Sequence, residues 1–190
     1  MRIIAGSYRS RTLDAPSGLA TRPTSDRLRE TLFNVLAAHI EDATFLDLYA
    51  GSGAVGLEAL SRGAQSVTFV ERAQPALTVL RRNLARLGIT AGFRVYAGST
   101  MAFLRSAAKT GPEPTLYAVV FLDPPYDASD EYEAALGLLG GDAGVLLAAD
   151  ALVIAEHRRK ERLENRYGHL ARTRLLEQGD AALSFYRAEK

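Results

Sequence analysis

Along the 190-residue chain, short runs of consecutive apolar residues alternate with longer stretches in which apolar residues recur at helical spacing. Strands buried on both faces produce the first pattern and helices packed on one side produce the second, so the alternation predicts an α/β sandwich with a mostly parallel sheet. Strands are expected at Thr44 to Ala50, Ser66 to Glu71, Phe93 to Gly98, Leu116 to Asp123 and Ala151 to His157. In "QPALTVLRRNLARLG", Pro75 sits near the start of a helix, where a missing amide is tolerated. Leu77, Leu80, Leu84 and Leu87 keep one face apolar until Gly88. The tail "RTRLLEQGDAALSFYRA" reads as two strands turning at Gly179 and Asp180, an antiparallel hairpin that brings the expected total to seven strands.

The first forty residues break the alternation. "RIIAGSYRSRTLDAP" reads as a short hairpin or extended arm, and "RPTSDRLRETLFNVLAA" as a helix capped by Thr24 or Ser25, with Leu28, Leu32, Val35 and Leu36 inward. Residues 1 to 40 are therefore expected to be an extension on a domain spanning 41 to 190. "KTGPEP", from Lys109 to Pro114, reads as a loop.

Composition narrows the function classes. With 47% hydrophobic and 24% charged residues the chain can bury a sizeable core. It has no cysteine, which removes disulfides and thiolate metal sites. No apolar run is long enough for a membrane span and "MRIIAGSYRSRT" lacks the apolar core of a signal peptide, so a cytoplasmic protein is expected. His39, His157 and His169 have no ligand spacing, and no metal is expected. No exposed apolar stripe argues for more than a monomer. The net charge of +1 hides a basic end: residues 1 to 30 hold six arginines against Asp14, Asp26 and Glu30. Only three of the 23 cations are lysine. Arginine suits phosphate contacts and base stacking, although solvated faces alone also account for such a bias.

Two stretches carry candidate chemistry. "LDLYAGSGAVGLEAL" runs from a strand into a helix through Gly51, Gly53 and Gly56, and Glu71 follows Gly51 by twenty residues. This spacing fits a dinucleotide fingerprint, which leaves a nicotinamide-dependent oxidoreductase open, as well as any ligand that wants the same turn. "VVFLDPPYDASDEYE" puts Asp123, Pro124, Pro125 and Tyr126 directly after a buried run, at the carboxyl end of a strand. Open α/β sheets bind ligands at those ends, so Asp123 is expected to face the same crevice as the glycines. Two prolines stiffen the backbone and leave carbonyls as free acceptors. With a carboxylate before them and a flat ring after them, they make a seat for a planar group bearing an amine.

The tetrapeptide Asp123 to Tyr126 resembles the amino-methyltransferase signature of class I S-adenosylmethionine enzymes, and "LDLYAGSGAVG" resembles their cofactor motif. From the "RIIAG" arm through "RPTSDRLRETLFN" to "VIAEH", essentially the whole chain resembles the bacterial RsmD family, methyltransferases of a guanine N2 amine in small-subunit ribosomal RNA. The resemblance implies a class I, Rossmann-like sandwich that uses S-adenosylmethionine. It implies that Asp123, Pro124, Pro125 and Tyr126 hold the base. It assigns the cofactor to Asp47, Tyr49, Gly51, Ser52, Gly53, Glu71, Arg72 and Ser99, together with Arg22 and Thr24, which with Pro23 and Asp26 help close the pocket. A helix-capping role is equally open for Ser99. Arg9, Arg11 and Arg22 are implied to seat phosphates of RNA that is free or within a partly assembled small subunit. Ser10 departs from the pattern by standing where the arm often has glycine, and the tail after His157 is rich in arginine without a recognisable motif. Adenine N6 methylation and a catalytically silent RNA-binding module remain as alternatives.

Overall fold

Residues 1–15 fold back on themselves as an arm. The Ile3 amide donates to the Arg11 carbonyl at 2.9 Å and the Leu13 amide to the Met1 carbonyl at 3.0 Å, while Ile3 and Leu13 are buried. The chain's computed structural model describes residues 1–15, 26–109, 115–125 and 129–189. It divides into two units, Met1–Gly98 and Ser99–Lys190.

In the first unit, helix α1 (Asp26–Val35) buries Leu28, Leu32 and Phe33, and a short 3-10 turn, Leu36–Ala38, follows. The proposed caps Thr24 and Ser25 lie outside the described residues. Strand β1 (Thr44–Asp47) leads to helix α2 (Ala54–Ser61), and β2 (Ser66–Glu71) to helix α3 (Gln74–Leu87), before β3 (Phe93–Ala97) closes the unit. The three strands are parallel in the order β3-β2-β1, with Asp47 level with Phe69 and Glu71 level with Ala97. Pro75 stands in the first turn of α3, and Gly88 ends the helix at φ +71°. Leu77, Leu80, Leu84 and Leu87 are buried. β1 ends at Asp47 rather than at Ala50, because Leu48 to Ala50 already belong to the turn into α2.

The second unit runs from helix α4 (Thr100–Ala107) through β4 (Tyr117–Leu122), helix α5 (Ser129–Leu139), a 3-10 turn at Asp142–Leu146 and β5 (Leu147–Arg158). It ends with β6 (Arg166–Tyr167), β7 (Leu170–Gln178) and β8 (Ala181–Ala188). The order is β4-β5-β8-β7-β6, with β4 and β5 parallel and the rest antiparallel. β7 and β8 form the hairpin expected from the tail. Seven strands were expected, and the described residues form eight, three in the first unit and five in the second. The additional strand, β6, pairs through Arg166 and Tyr167 alone, and two residues are too few to leave a period in the sequence. No described helix is long and apolar enough to cross a membrane.

Candidate active site

The turn from β1 to α2 is shaped by glycine. Gly53 is the N-cap of α2 at φ +84°, a left-handed backbone that also deprives the helix of a side-chain cap. Asp47 supplies the missing acceptor from nine residues back: its Oδ2 takes the Gly56 amide at 3.1 Å. Gly56 is needed for a different reason, since a Cβ there would lie 2.3 Å from Phe69 Cε1 and 2.8 Å from Val67 Cγ1. Helix α2 therefore lies against β2 more closely than any side chain allows.

Asp47 is 1% exposed. Burial pushes its carboxyl from 3.8 up to about 7, opposed by the Gly56 amide and reinforced by the negative charge of Glu71. Glu71, at the end of β2, closes the turn. Its Oε2 accepts the Gly51 amide at 2.8 Å, and its Oε1 accepts the amides of Arg72 at 2.8 Å and Ala73 at 2.7 Å. A carboxylate has about four acceptor positions, so one remains for a ligand hydroxyl. Beside Gly51 the space is open among the described residues, for a Cβ there would meet none of their atoms within 4 Å. Tyr49, Gly51 and Ser52 are half-buried and Arg72 is exposed. The first unit thus gathers Asp47, Tyr49, Gly51, Ser52, Gly53, Glu71 and Arg72 at the carboxyl ends of β1 and β2. The remaining acceptor position of Glu71, beside the half-buried backbone of Gly51 and Ser52, suits a ligand hydroxyl.

Asn83 and Glu58 hold the arm in place, and the sequence reading passed over both. Fully buried on α3, Asn83 accepts the Asp14 amide at 2.8 Å and donates to the carbonyls of Asp14 at 3.1 Å and Ser52 at 2.9 Å. It therefore ties the arm to the glycine turn. Glu58, fully buried on α2, accepts the amides of Ile4 at 2.8 Å and Ala5 at 3.0 Å and the Arg62 Nε at 2.7 Å. The Arg29 Nε lies 3.7 Å from it, and Arg29 Nη2 donates to the Arg2 carbonyl at 2.6 Å. Arg29 is fully buried, so one of the six arginines of the basic end is structural. A signal was present: Glu58 is the sole charge in the apolar "AVGLEALS", and Arg29 falls in the buried stripe of α1.

Arg9 and Arg11 are exposed on the arm. Ser10 between them has φ +67°, which gives the physical reason a glycine suits that place. Arg22, Pro23 and Thr24 lie outside the described residues, and Asp26, exposed at the start of α1, accepts from Arg29 Nη2 at 3.0 Å.

In the second unit Asp123 is the first residue after β4 and is half-buried, Pro124 is buried and Pro125 exposed. Tyr126 lies outside the described residues. Parallel pairing sets Leu122 level with Ala155, so Asp123 stands at the carboxyl end of its strand. Ser99 is the N-cap of α4, its Oγ accepting the Ala102 amide at 3.2 Å. His157 is 3% exposed, with Nδ1 2.9 Å from the Arg158 carbonyl and Nε2 2.9 Å from Ser184 Oγ. Since the carbonyl can only accept, Nδ1 carries the proton, and burial holds the imidazole below its usual range. Its role is to join β5 to β8. Among the described residues no group of three or more His, Cys, Asp or Glu side chains could hold a metal.

The fold is that of a class I, Rossmann-like methyltransferase, and solved structures agree. A putative methyltransferase from Escherichia coli, yhhF, superposes with a TM-score of 0.84 and 38% identity over 100% of this chain and 98% of that one. The family model Conserved hypothetical protein 95 matches residues 1–187. The chain belongs to that family, the RsmD family of methyltransferases. A Bacillus subtilis relative, the putative rRNA methyltransferase YlbH, is 37% identical over 187 residues, 98% of each chain. Escherichia coli ribosomal RNA small subunit methyltransferase D is 47% identical over 126 residues, covering 66% of this chain and 60% of that protein. The nicotinamide reading that the glycine spacing left open falls with this membership.

Proposed function

We propose that this protein transfers a methyl group from S-adenosylmethionine to the exocyclic N2 amine of a guanine in small-subunit ribosomal RNA. It does so in the cytoplasm, as a monomer, on RNA that is free or within an assembling subunit. The observation that carries the reading is Asp123, placed directly after β4 and followed by two prolines, in a chain related over 98% of its length to a putative rRNA methyltransferase.

S-adenosylmethionine supplies an electrophilic methyl on a sulfonium that is already a good leaving group. Asp47, Tyr49, Gly51, Ser52, Gly53, Glu71 and Arg72 are the residues that hold it, with Arg22, Thr24 and Ser99 completing the set. Glu71 keeps one acceptor position for a ribose hydroxyl. Asp123 and the Pro124 carbonyl accept the amine protons of the base, and Tyr126 stacks on its ring. Guanine fits because N1–H and N2–H are adjacent donors, whereas adenine offers a donor beside an acceptor. Hydrogen bonds to the amine favour the positive charge that develops as the bond forms. No covalent enzyme intermediate is needed, and orientation supplies much of the acceleration, roughly 7 to 11 kcal/mol for well-aligned pairs. Arg9 and Arg11 on the arm, with Arg22, seat RNA phosphates.

The test is transfer of labelled methyl from S-adenosylmethionine to unmodified small subunits and to free ribosomal RNA, followed by nucleoside analysis. Labelled N2-methylguanosine is expected. N6-methyladenosine overturns the choice of base, and no label on either substrate with folded protein overturns the reaction.

A further inference from the structure

The stretch from the end of β5 into β7 carries charge out of proportion to the chain, with Arg159, Lys160, Arg162 and both of its acids in the β5–β6 loop. Residues 158–174 hold seven arginines and lysines against Glu161 and Glu164, in a protein whose net charge is +1. Some of these cations have structural duties. The Arg172 guanidinium donates to the Leu163 carbonyl at 3.2 Å and to Asn165 Oδ1, and Arg166 meets Glu189 at 2.6 Å. Arg159, Lys160 and Arg162 do not: all three are exposed, and no side-chain partner is found for them among the described residues.

These three side chains project from a loop that is held in place. Leu163 is buried, the Glu164 amide donates to the Tyr167 hydroxyl at 3.0 Å, and the Tyr186 hydroxyl donates to the Glu164 carbonyl at 2.9 Å. The two tyrosine rings meet edge to face, with centroids 5.7 Å apart. At the other end the Arg159 amide is anchored on the Asp180 carbonyl at 2.8 Å. A charge run on a loose loop spreads out and is screened by salt. On a loop fixed at both ends, exposed cations close in sequence keep their positive charge at one place on the surface, which suits a polyanion.

We propose that the β5–β6 loop is a second RNA-binding element, in which Arg159, Lys160 and Arg162 contact backbone phosphates independently of the arm. The inference rests on ribosomal RNA being the substrate. Phosphate contacts supply affinity and register without reading bases, so the loop sets how strongly RNA is held and leaves the choice of base to the site. Its loss raises KM for RNA and leaves kcat in place.

The experiment compares the natural chain, R159A/K160A/R162A and the charge-preserving R159K/R162K. Binding to free small-subunit ribosomal RNA is followed across a salt series, and S-adenosylmethionine affinity is measured beside it. Single-stranded contacts contribute about 0.7 each to the slope of log affinity against log salt. The triple variant is therefore expected to lose about 2 from that slope and roughly 10- to 100-fold in affinity at low salt, while the lysine variant keeps the slope. Cofactor affinity should be the same in all three proteins, which also reports that the variants are folded. An unchanged slope in the triple variant, with the natural chain binding RNA, overturns the loop's role and leaves the methyltransferase reading standing. Weakened binding only to assembled subunits, with free RNA unaffected, overturns it in favour of an acidic protein surface. A natural chain that binds cofactor but no RNA overturns both the loop's role and the choice of substrate.

Discussion

Glu71 and Gly51, twenty residues apart, are joined at 2.8 Å by a carboxylate oxygen and a backbone amide. One acid thus closes the glycine turn at the end of β1 and, through its other oxygen, the turn that begins α3. Replacing it by alanine strips the acceptor from three amides. Glu71→Gln is nearly as damaging at the glycine turn if its amide nitrogen meets the Gly51 N–H donor to donor. Both variants should lose roughly 10- to 100-fold in S-adenosylmethionine affinity by calorimetry, since hydrogen bonds to charged groups contribute about 1.5 to 3 kcal/mol. Faster hydrogen exchange at the Gly51 amide should accompany the loss.

Asp123→Ala should abolish methyl transfer while cofactor affinity stays within about twofold. Removing one positioned electrostatic group typically lowers kcat by about 100- to 1000-fold. Retained turnover with lost cofactor binding contradicts the assignment.

Removing Glu58 takes the nearby carboxylate from the Nε side of the buried Arg29, which keeps Asp26 on Nη2, and leaves two arm amides without acceptors. Glu58→Ala is expected to destabilise the fold by about 3 to 5 kcal/mol in chemical denaturation. Trypsin should then cut the arm after Arg9 and Arg11 faster than in the natural chain.

Ser10→Gly should stabilise the protein. A left-handed backbone costs a side-chain-bearing residue about 1 to 2 kcal/mol, and glycine's greater freedom in the unfolded chain returns roughly 0.5 to 1 of that. A rise of a few degrees at most in Tm is expected.

Two buried groups give opposite dependences on pH. Asp47 has its pKa raised from 3.8 to about 7, so its contribution is fullest below 3.8 and is lost as pH rises to about 7. For His157 the pKa is lowered from 6.5, so its contribution is full above 6.5 and is lost as pH falls below it. Neither slope exceeds about 1.4 kcal/mol per pH unit. Subtracting the stability curves of Asp47→Asn and His157→Gln from that of the natural chain should give differences of opposite sign.

Apolar runs made β1, β2, β4 and β5 legible because parallel strands bury both faces, and alternation around Gly179 made the hairpin legible. β6 was invisible because its partners set it. The ends of α3 were readable from Pro75 and Gly88, residues whose backbone limits act locally. Ser10 was noted as a departure, and its positive φ supplies the reason. Glu58, Arg29 and Asn83 were not legible as a group, because each meets partners far along the chain, up to 69 residues away for Asn83 and Asp14. The lone charge of Glu58 in an apolar helix and the place of Arg29 in a buried stripe mark burial, but not the partner each meets.

The link through Asn83 has a consequence for the order in which the protein opens. The arm docks on an amide group that is presented only once α3 is formed, and that also holds the Ser52 carbonyl. Peeling the arm away leaves the Ser52 bond intact, whereas unravelling α3 at Asn83 releases arm and turn together. Openings are therefore nested, and the Asp14 amide should exchange its proton through small excursions that leave the glycine turn closed.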